Sequence, residues 1–234
     1  MRHSVLAVYI ALCSLLANGC TKSINTATAA TVLLIKGRVV FGNAGRNDFQ
    51  PVTLKSRING GDTVRSADDG LLDLAFIPGA LAQLSRDSEI NVEELGIAKD
   101  GNETAGGMRA RSARIRLNRG KIIILFTPSD RSESQFTIKT RELTIKPDSD
   151  CLFCVWTDGT TTRVTCAKGK VDTSAEAQSP VAIGAGSFQQ WPTAHTKPVL
   201  AADDAAAQID ITESLEAGER LQNEASGWSN RRPF

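Results

Sequence analysis

The chain has 234 residues, of which 41% are hydrophobic and 23% charged, and its formal net charge is +1 at pH 7. These values are typical of a globular protein with an apolar core and exclude a largely disordered chain. The near-zero net charge gives no electrostatic case for nucleic-acid binding. The two histidines, His3 and His195, are a poor basis for histidine-dependent metal or acid–base chemistry.

Residues 1–20 are typical of a secretory signal peptide, because a positive charge precedes an apolar run too short to span a bilayer. The small residues before Cys20 resemble a bacterial lipobox, in which the leader is cut before a cysteine that then carries lipid. This resemblance predicts lipidation at Cys20; an ordinary signal peptide cut nearby is the alternative. Thr21, where an aspartate would indicate inner-membrane retention, favours the outer membrane. Residues 21–31, rich in Thr and Ala, are predicted to be a flexible tether.

Residues 32–192 show short segments of β-branched and apolar residues separated by turn dipeptides such as Asp69-Gly70 and Asp158-Gly159. They predict an all-β domain, either a twisted antiparallel sandwich or a solenoid-like β structure. Within it, the Gly-rich stretch from Gly96 to Ala113 is predicted to be a long loop. Residues 193–234 are predicted to be a polar tail, either an exposed helix or disordered, because their apolar residues form no full stripe.

A short pattern recurs in this region: an apolar residue, two spacers and a glycine. The pattern predicts a glycine with positive φ that bends one strand into the next. Four glycines close it: Gly61, Gly120, Gly169 and Gly186.

The run Ile58–Ser66 resembles the most recognisable stretch of FecR domains, in which a Gly-Asp pair follows an apolar residue and precedes a strand. Later segments resemble the family's other elements in the same order along the chain, from about Thr31 to Gln190. The residues that match the family's motifs, and to which the resemblance gives a structural role, are Gly61, Asp62, Val64, Gly79, Gly120, Gly169 and Gly186.

The resemblance implies a non-enzymatic envelope lipoprotein that binds a protein or glycan partner, with a role in signalling. The family's best-known regulators also carry a sigma-factor-binding segment and a transmembrane helix before the domain; neither is seen here, so direct contact with a sigma factor is not expected. The alternatives are a structural component of an envelope assembly, held by strand addition, and a carbohydrate-active enzyme. No cofactor is expected.

The cysteines after Cys20 are Cys151, Cys154 and Cys166. If Asp158-Gly159 is a two-residue hairpin turn, Cys151 lies opposite Cys166, and this register predicts that the two can form a disulfide in an exported protein. The alternative is that both are small buried residues that stay reduced. The Cys151-x-x-Cys154 spacing does not predict a metal site, because alternate side chains of a strand face opposite ways and no second ligand pair exists.

One basic patch stands out: Arg109, Arg111, Arg114, Arg116 and Arg119. It is either the solvated face of a strand or a surface for anionic headgroups or acidic glycans. No catalytic set is recognised: His195 has no convincing triad partners, and Asp68, Asp69, Asp148 and Asp150 each lie at a turn signal.

Overall fold

The structure, a computed structural model, describes residues 23–100, 108–128, 133–175, 179–192 and 197–229. The strands are β1 (Ser23–Ala27), β2 (Ala29–Lys36), β3 (Val39–Gly42), β4 (Gln50–Pro51), β5 (Arg57–Asn59), β6 (Thr63–Ser66), β7 (Leu71–Ile77), β8 (Ala80–Leu84), β9 (Glu89–Asp100), β10 (Met108–Phe126), β11 (Glu133–Lys139), β12 (Leu143–Pro147), β13 (Cys151–Thr157), β14 (Thr162–Lys168), β15 (Lys170–Ala175), β16 (Val181–Gly184), β17 (Ser187–Trp191) and β18 (Val199–Leu200). A 3-10 turn (Ala201–Asp203) and the helix α1 (Ala205–Ser229) follow.

The strands form two layers around a shared core. The first sheet has the order β4-β3-β6-β9-β10-β11-β12-β15-β16, with β1 beside the end of β9. The second sheet has the order β5-β2-β7-β8-β10-β13-β14-β17-β18. The predicted all-β class with a helical C-terminal segment is confirmed. One pair, β10 with β11, is parallel, because the chain leaves β10 in the second sheet and returns to the first.

Strand β10 belongs to both sheets. Up to Arg119 it pairs with β9 in the first sheet, and from Gly120 onward it pairs with β13 in the second. The strand bends at Gly120, whose φ is +88°. A Cβ there would overlap the Ser88 Oγ and lie 2.5 Å from the Ser88 Cα, so only glycine fits this bend.

The core lies between the sheets and takes side chains from both. Alternation along β10 buries Ala113, Ile115 and Leu117 and turns Arg114 and Arg116 outward. From Ile122 to Phe126 the strand is apolar on both faces, because α1 covers its outer side there. The largest fully buried side chains include Phe76, Phe126, Phe136 and Phe153.

Two sequence predictions are wrong at their boundaries. Residues 23–31, assigned to the flexible tether, form β1 and the start of β2, which pair with β9 and β5. Their composition hides these strands, because it supplies only small side chains such as the buried Ala30. The predicted loop from Gly96 to Ala113 is wrong at both ends, since β9 runs to Asp100 and β10 starts at Met108.

Candidate interaction site

Helix α1 packs along the outer face of the second sheet through a stripe of small and polar residues. The buried members of this stripe are Ala207, Asp210, Ser214, Ala217 and Leu221, which recur every three or four residues and so share one face. The helix, one of the two predicted alternatives for this segment, is confirmed, but the prediction that it is exposed is wrong along this face. An apolar stripe was the expected signal of a packed helix, and this stripe is mostly small or polar.

The small side chains bring the helix close to the sheet. Ala217 packs in a cluster with Ile123, Leu152 and Cys154 from β10 and β13. The next helix residue, Gly218, is equally tight, because a Cβ there would lie 2.9 Å from a methyl carbon of Leu152. Because the stripe contains few large apolar side chains, charged groups also contribute to the contact between the helix and the sheet.

The first charged contact is centred on Asp210, whose side chain is 1% exposed. Its carboxylate lies 2.7 Å from the Lys121 Nζ and 2.7 Å from the Arg163 Nε, and Thr165 donates a hydrogen bond of 3.3 Å to it. Burial lowers the pKa of Lys121, but Cys154 and the hydrogen bonds to Asp210 and Glu213 outweigh it, so this pKa is raised. One carboxylate thus holds two cations of the sheet under the helix.

The second charged contact lies two to three turns further along α1. The Arg220 Nε lies 3.0 Å from the Oδ2 of Asp73, a fully buried residue of β7. The Arg220 guanidinium also donates a hydrogen bond to the Gln83 side chain in β8. The helix is therefore fixed to the sheet at two separate points by ion pairs.

A groove of about 910 Å³ runs between α1 and the corner where strands cross from one sheet to the other. We call it the helix groove. Its lining carries both signs of charge around the half-buried Trp156: Lys36, Asp68, Asp69, Arg86, Asp87, Arg119, Lys121, Asp158, Glu213, Glu216 and Arg220. One face of the Trp156 ring is covered by the Arg163 guanidinium, whose Cζ lies 5.2 Å from the ring centroid. A mixed-charge groove with an aromatic anchor is typical of protein interfaces.

The predicted basic patch lies mostly outside the helix groove, on β10. Arg114 lies 3.1 Å from Glu93 and also pairs with Glu94, and Arg116 lies 2.7 Å from Glu93. Arg111 donates a hydrogen bond to the Pro78 carbonyl. The glutamates of β9 thus pair with Arg114 and Arg116 of β10, and the patch is not a group of unpaired cations.

Among the described side chains of that patch, Arg119 alone lines the helix groove, and it is exposed. The side chain of Arg109 lies outside the described residues. The basic pattern in the sequence included Arg119, a residue of the groove, but as part of a cationic surface. The pattern could not show that glutamates of β9 pair with Arg114 and Arg116, because that pairing depends on the sheet register.

The residues of the FecR-like motifs occupy turns and the core. Val64 is fully buried, and the carboxylate of Asp62 accepts a 2.7 Å hydrogen bond from the Asn59 N–H across the turn before β6. The motif glycines all have positive φ: Gly61 (+94°), Gly79 (+88°), Gly120 (+88°), Gly169 (+75°) and Gly186 (+75°). These residues shape the fold and do not line one site.

The predicted register of the β13–β14 hairpin is wrong. Asp158 accepts hydrogen bonds from the N–H groups of Thr160 and Thr161, which makes a four-residue loop in place of the two-residue turn. As a result, Cys166 lies opposite Phe153 and not opposite Cys151. Both cysteines are free thiols in the structure and belong to the same core cluster, while Cys154 faces α1.

We expect Cys151 and Cys166 to resist alkylation in the folded protein. Burial raises the pKa of Cys151 to about 12 and that of Cys166 to about 11, so little thiolate is present at neutral pH. Alkylation with iodoacetamide, followed by mass spectrometry, should be at least about tenfold slower at these positions than in denaturant. Equal rates, or a mass gain when the purified protein is reduced, would contradict free, buried thiols.

The aspartates at the turn signals, which are the carboxylate pairs that a carbohydrate-active enzyme would need, have other partners. Asp68 and Asp69 both pair with Arg38, at 3.2 and 3.6 Å. The hydrogen bond from Lys170 lowers the pKa of Asp148, whereas a general acid needs a raised pKa. These groups therefore stabilise turns.

Cys20 and His195 lie outside the described residues. In the described ranges, no three or more His, Cys, Asp and Glu side chains are grouped to hold a metal ion. No helix among the same residues is long and apolar enough to cross a membrane.

The fold and the groove define an all-β sandwich domain with a docked C-terminal helix. Residues 62–172 match the family model described as FecR protein, which covers the structure from β6 into β15. This chain therefore contains a FecR domain. The match ends before α1, so the helix groove combines the family domain with a segment beyond it.

Other comparisons are more distant. No curated protein matches the chain. Two solved structures, at 2.50 and 1.65 Å resolution, have titles that describe a candidate anti-sigma factor from Parabacteroides distasonis. Each is 12% identical, with a TM-score of 0.39 over 55% of this chain and 53% of its own. The chain thus spans about half the length of these structures.

Proposed function

We propose that this protein is a non-enzymatic binding module of the bacterial cell envelope, held to a membrane by lipid at Cys20, and that the helix groove binds a protein partner in a signalling role. The observation that carries the proposal is the groove itself, in which half-buried Trp156 lies among side chains of both charges. The FecR domain and the lipobox-like end of residues 1–20 support the location.

A protein partner fits this groove better than a glycan. Because Arg163 covers one face of Trp156, at most the other face is open for stacking on a sugar ring. Alternating charges at the rim give a protein partner register and steer its approach, although each exposed pair adds little affinity.

The helix groove also argues against the carbohydrate-active enzyme. Among its lining carboxylates is Asp158, whose pKa is lowered by hydrogen bonds from the Thr161 and Thr160 N–H groups, whereas a general acid needs a raised pKa. Glu224, whose pKa is raised to about 7 by burial and by Asp73, does not line the groove.

Site-specific photo-crosslinking in a native-type host tests this proposal. A photoreactive residue at position 119 should form an adduct with an envelope protein, and Trp156→Ala should abolish it. The matched control places the same residue at Arg57, an exposed arginine of β5 outside the groove. Equal adducts at both positions, or none at 119, would overturn the groove as the partner site.

The anchor is tested separately by intact mass spectrometry of membrane and soluble fractions. A membrane species that begins at an acylated Cys20 is the expected result. A soluble species cut at another residue would overturn the anchor and leave the groove assignment untouched.

A further inference from the structure

Two carboxyl groups meet where the end of α1 lies on the sheet. Asp73 in β7 is fully buried, and its Oδ2 accepts the hydrogen bond from Arg220. Its other oxygen, Oδ1, and the Oε2 of Glu224 are both buried and, within the described residues, have no N–H or O–H donor. Glu224 follows Arg220 by one helical turn, and each of the two carboxyls shifts the pKa of the other, which places them beside each other.

Ionised carboxylates only accept hydrogen bonds, so a contact between two of them requires a proton. We propose that Asp73 and Glu224 share one proton and that this proton latches the C-terminal end of α1 to the second sheet. Glu224 carries the proton, because Arg220 already balances the charge of Asp73.

The charged and polar groups around the pair come from three further positions. Arg220 precedes Glu224 by one helical turn and contacts Asp73, Lys36 of β2 acts on both carboxyls from a distance, and Gln83 of β8 contacts Arg220. Both cations favour ionised carboxylates, so they oppose the latch. They lower the pH at which it is released to the neutral range.

The direction of the pH dependence follows from Glu224. Burial, and then the charge of Asp73, raise the pKa of Glu224 from 4.5 to about 7, against the effect of Arg220 and Lys36. Burial also raises the pKa of Asp73, opposed by Arg220. A raised pKa in the docked state means that the latch is fully closed below pH 4.5 and is lost as the pH rises through about 7.

The latch acts on the groove as well as on the helix. Arg220 and Gln83, which line the helix groove, are the contacts that hold Asp73 beside Glu224. Release of the helix end therefore changes one wall of the groove. This regulatory consequence rests on the proposed function, whereas the latch itself is a property of the fold.

Hydrogen exchange of the full chain tests the latch. Amides at positions 222–226, corrected for the pH dependence of chemical exchange, should open about tenfold more at pH 8 than at pH 6, because with a docked-state pKa of about 7 Glu224 is mostly protonated at pH 6 and mostly ionised at pH 8. Glu224→Gln should remove this difference, since its amide donates to Asp73 at every pH. Glu219→Gln, on the exposed side of the same helix, is the matched control and should behave like the native protein.

Unchanged opening between pH 6 and pH 8 in the native protein, or a difference that persists in Glu224→Gln, would overturn the latch. Protection of the β13 amides reports in the same data that each variant is folded. Photo-crosslinking from position 119 tests the groove alone. If no adduct forms while hydrogen exchange shows the expected pH dependence, the proposed function is wrong and the latch is unaffected.

Discussion

Asp210→Ala is expected to lower the free energy of unfolding by about 3–5 kcal/mol, because it removes the buried counter-charge of Arg163 and leaves Lys121 with only the exposed Glu213. Lys121 and Arg163 are 16% and 13% exposed, so neither can regain full hydration while α1 stays docked. Urea denaturation followed by tryptophan fluorescence measures the loss.

Glu213→Ala is the matched control for this prediction. Glu213 also lies 2.7 Å from the Lys121 Nζ, but its side chain is 47% exposed, so its removal should cost less than about 1 kcal/mol. Similar losses for the two variants would show that burial of the ion pair does not decide its contribution, and that α1 is held mainly by its apolar contacts.

Gly120→Ala is expected to destabilise the protein by about 3–5 kcal/mol, the sum of a positive φ and an overlap with Ser88. The overlap cannot relax easily, because Ser88 is fully buried and its Oγ accepts a 2.9 Å hydrogen bond from the Lys121 N–H. Thermal or urea unfolding of the purified variant provides the measurement.

Gly61→Ala separates the two causes. Gly61 has a similar φ of +94°, but nothing lies within 4 Å of a Cβ built there, so its cost should be only about 1–2 kcal/mol. If both alanine variants lose the same stability, the backbone conformation alone accounts for the effect and the Ser88 contact contributes nothing.

Local signals were sufficient for much of the fold. Alternation in segments such as Arg114–Leu117 predicted strands, and the apolar-x-x-Gly pattern predicted the bends, because side-chain period and glycine conformation are properties of a few neighbouring residues. The order of the FecR-like motifs also predicted the family, and the match over residues 62–172 supports that prediction.

The hairpin around Asp158 shows where local reading failed. The dipeptide Asp158-Gly159 is compatible with a two-residue turn, and the choice of a four-residue loop depends on hydrogen bonds from the Asp158 carboxylate to Thr160 and Thr161. That choice moves the strand register by two residues and separates Cys151 from Cys166 across the ladder.

The sequence by itself determined the all-β class of the chain and the bends between its strands, and it offered a helix as one of two alternatives for the C-terminal segment. Only the tertiary structure decided that α1 is docked and that a groove lies beside it. The reason is physical: Asp210 and Arg220 are ordinary surface residues in a helical pattern, and they become buried contacts only when Lys121, Arg163 and Asp73 arrive from strands that are distant in sequence.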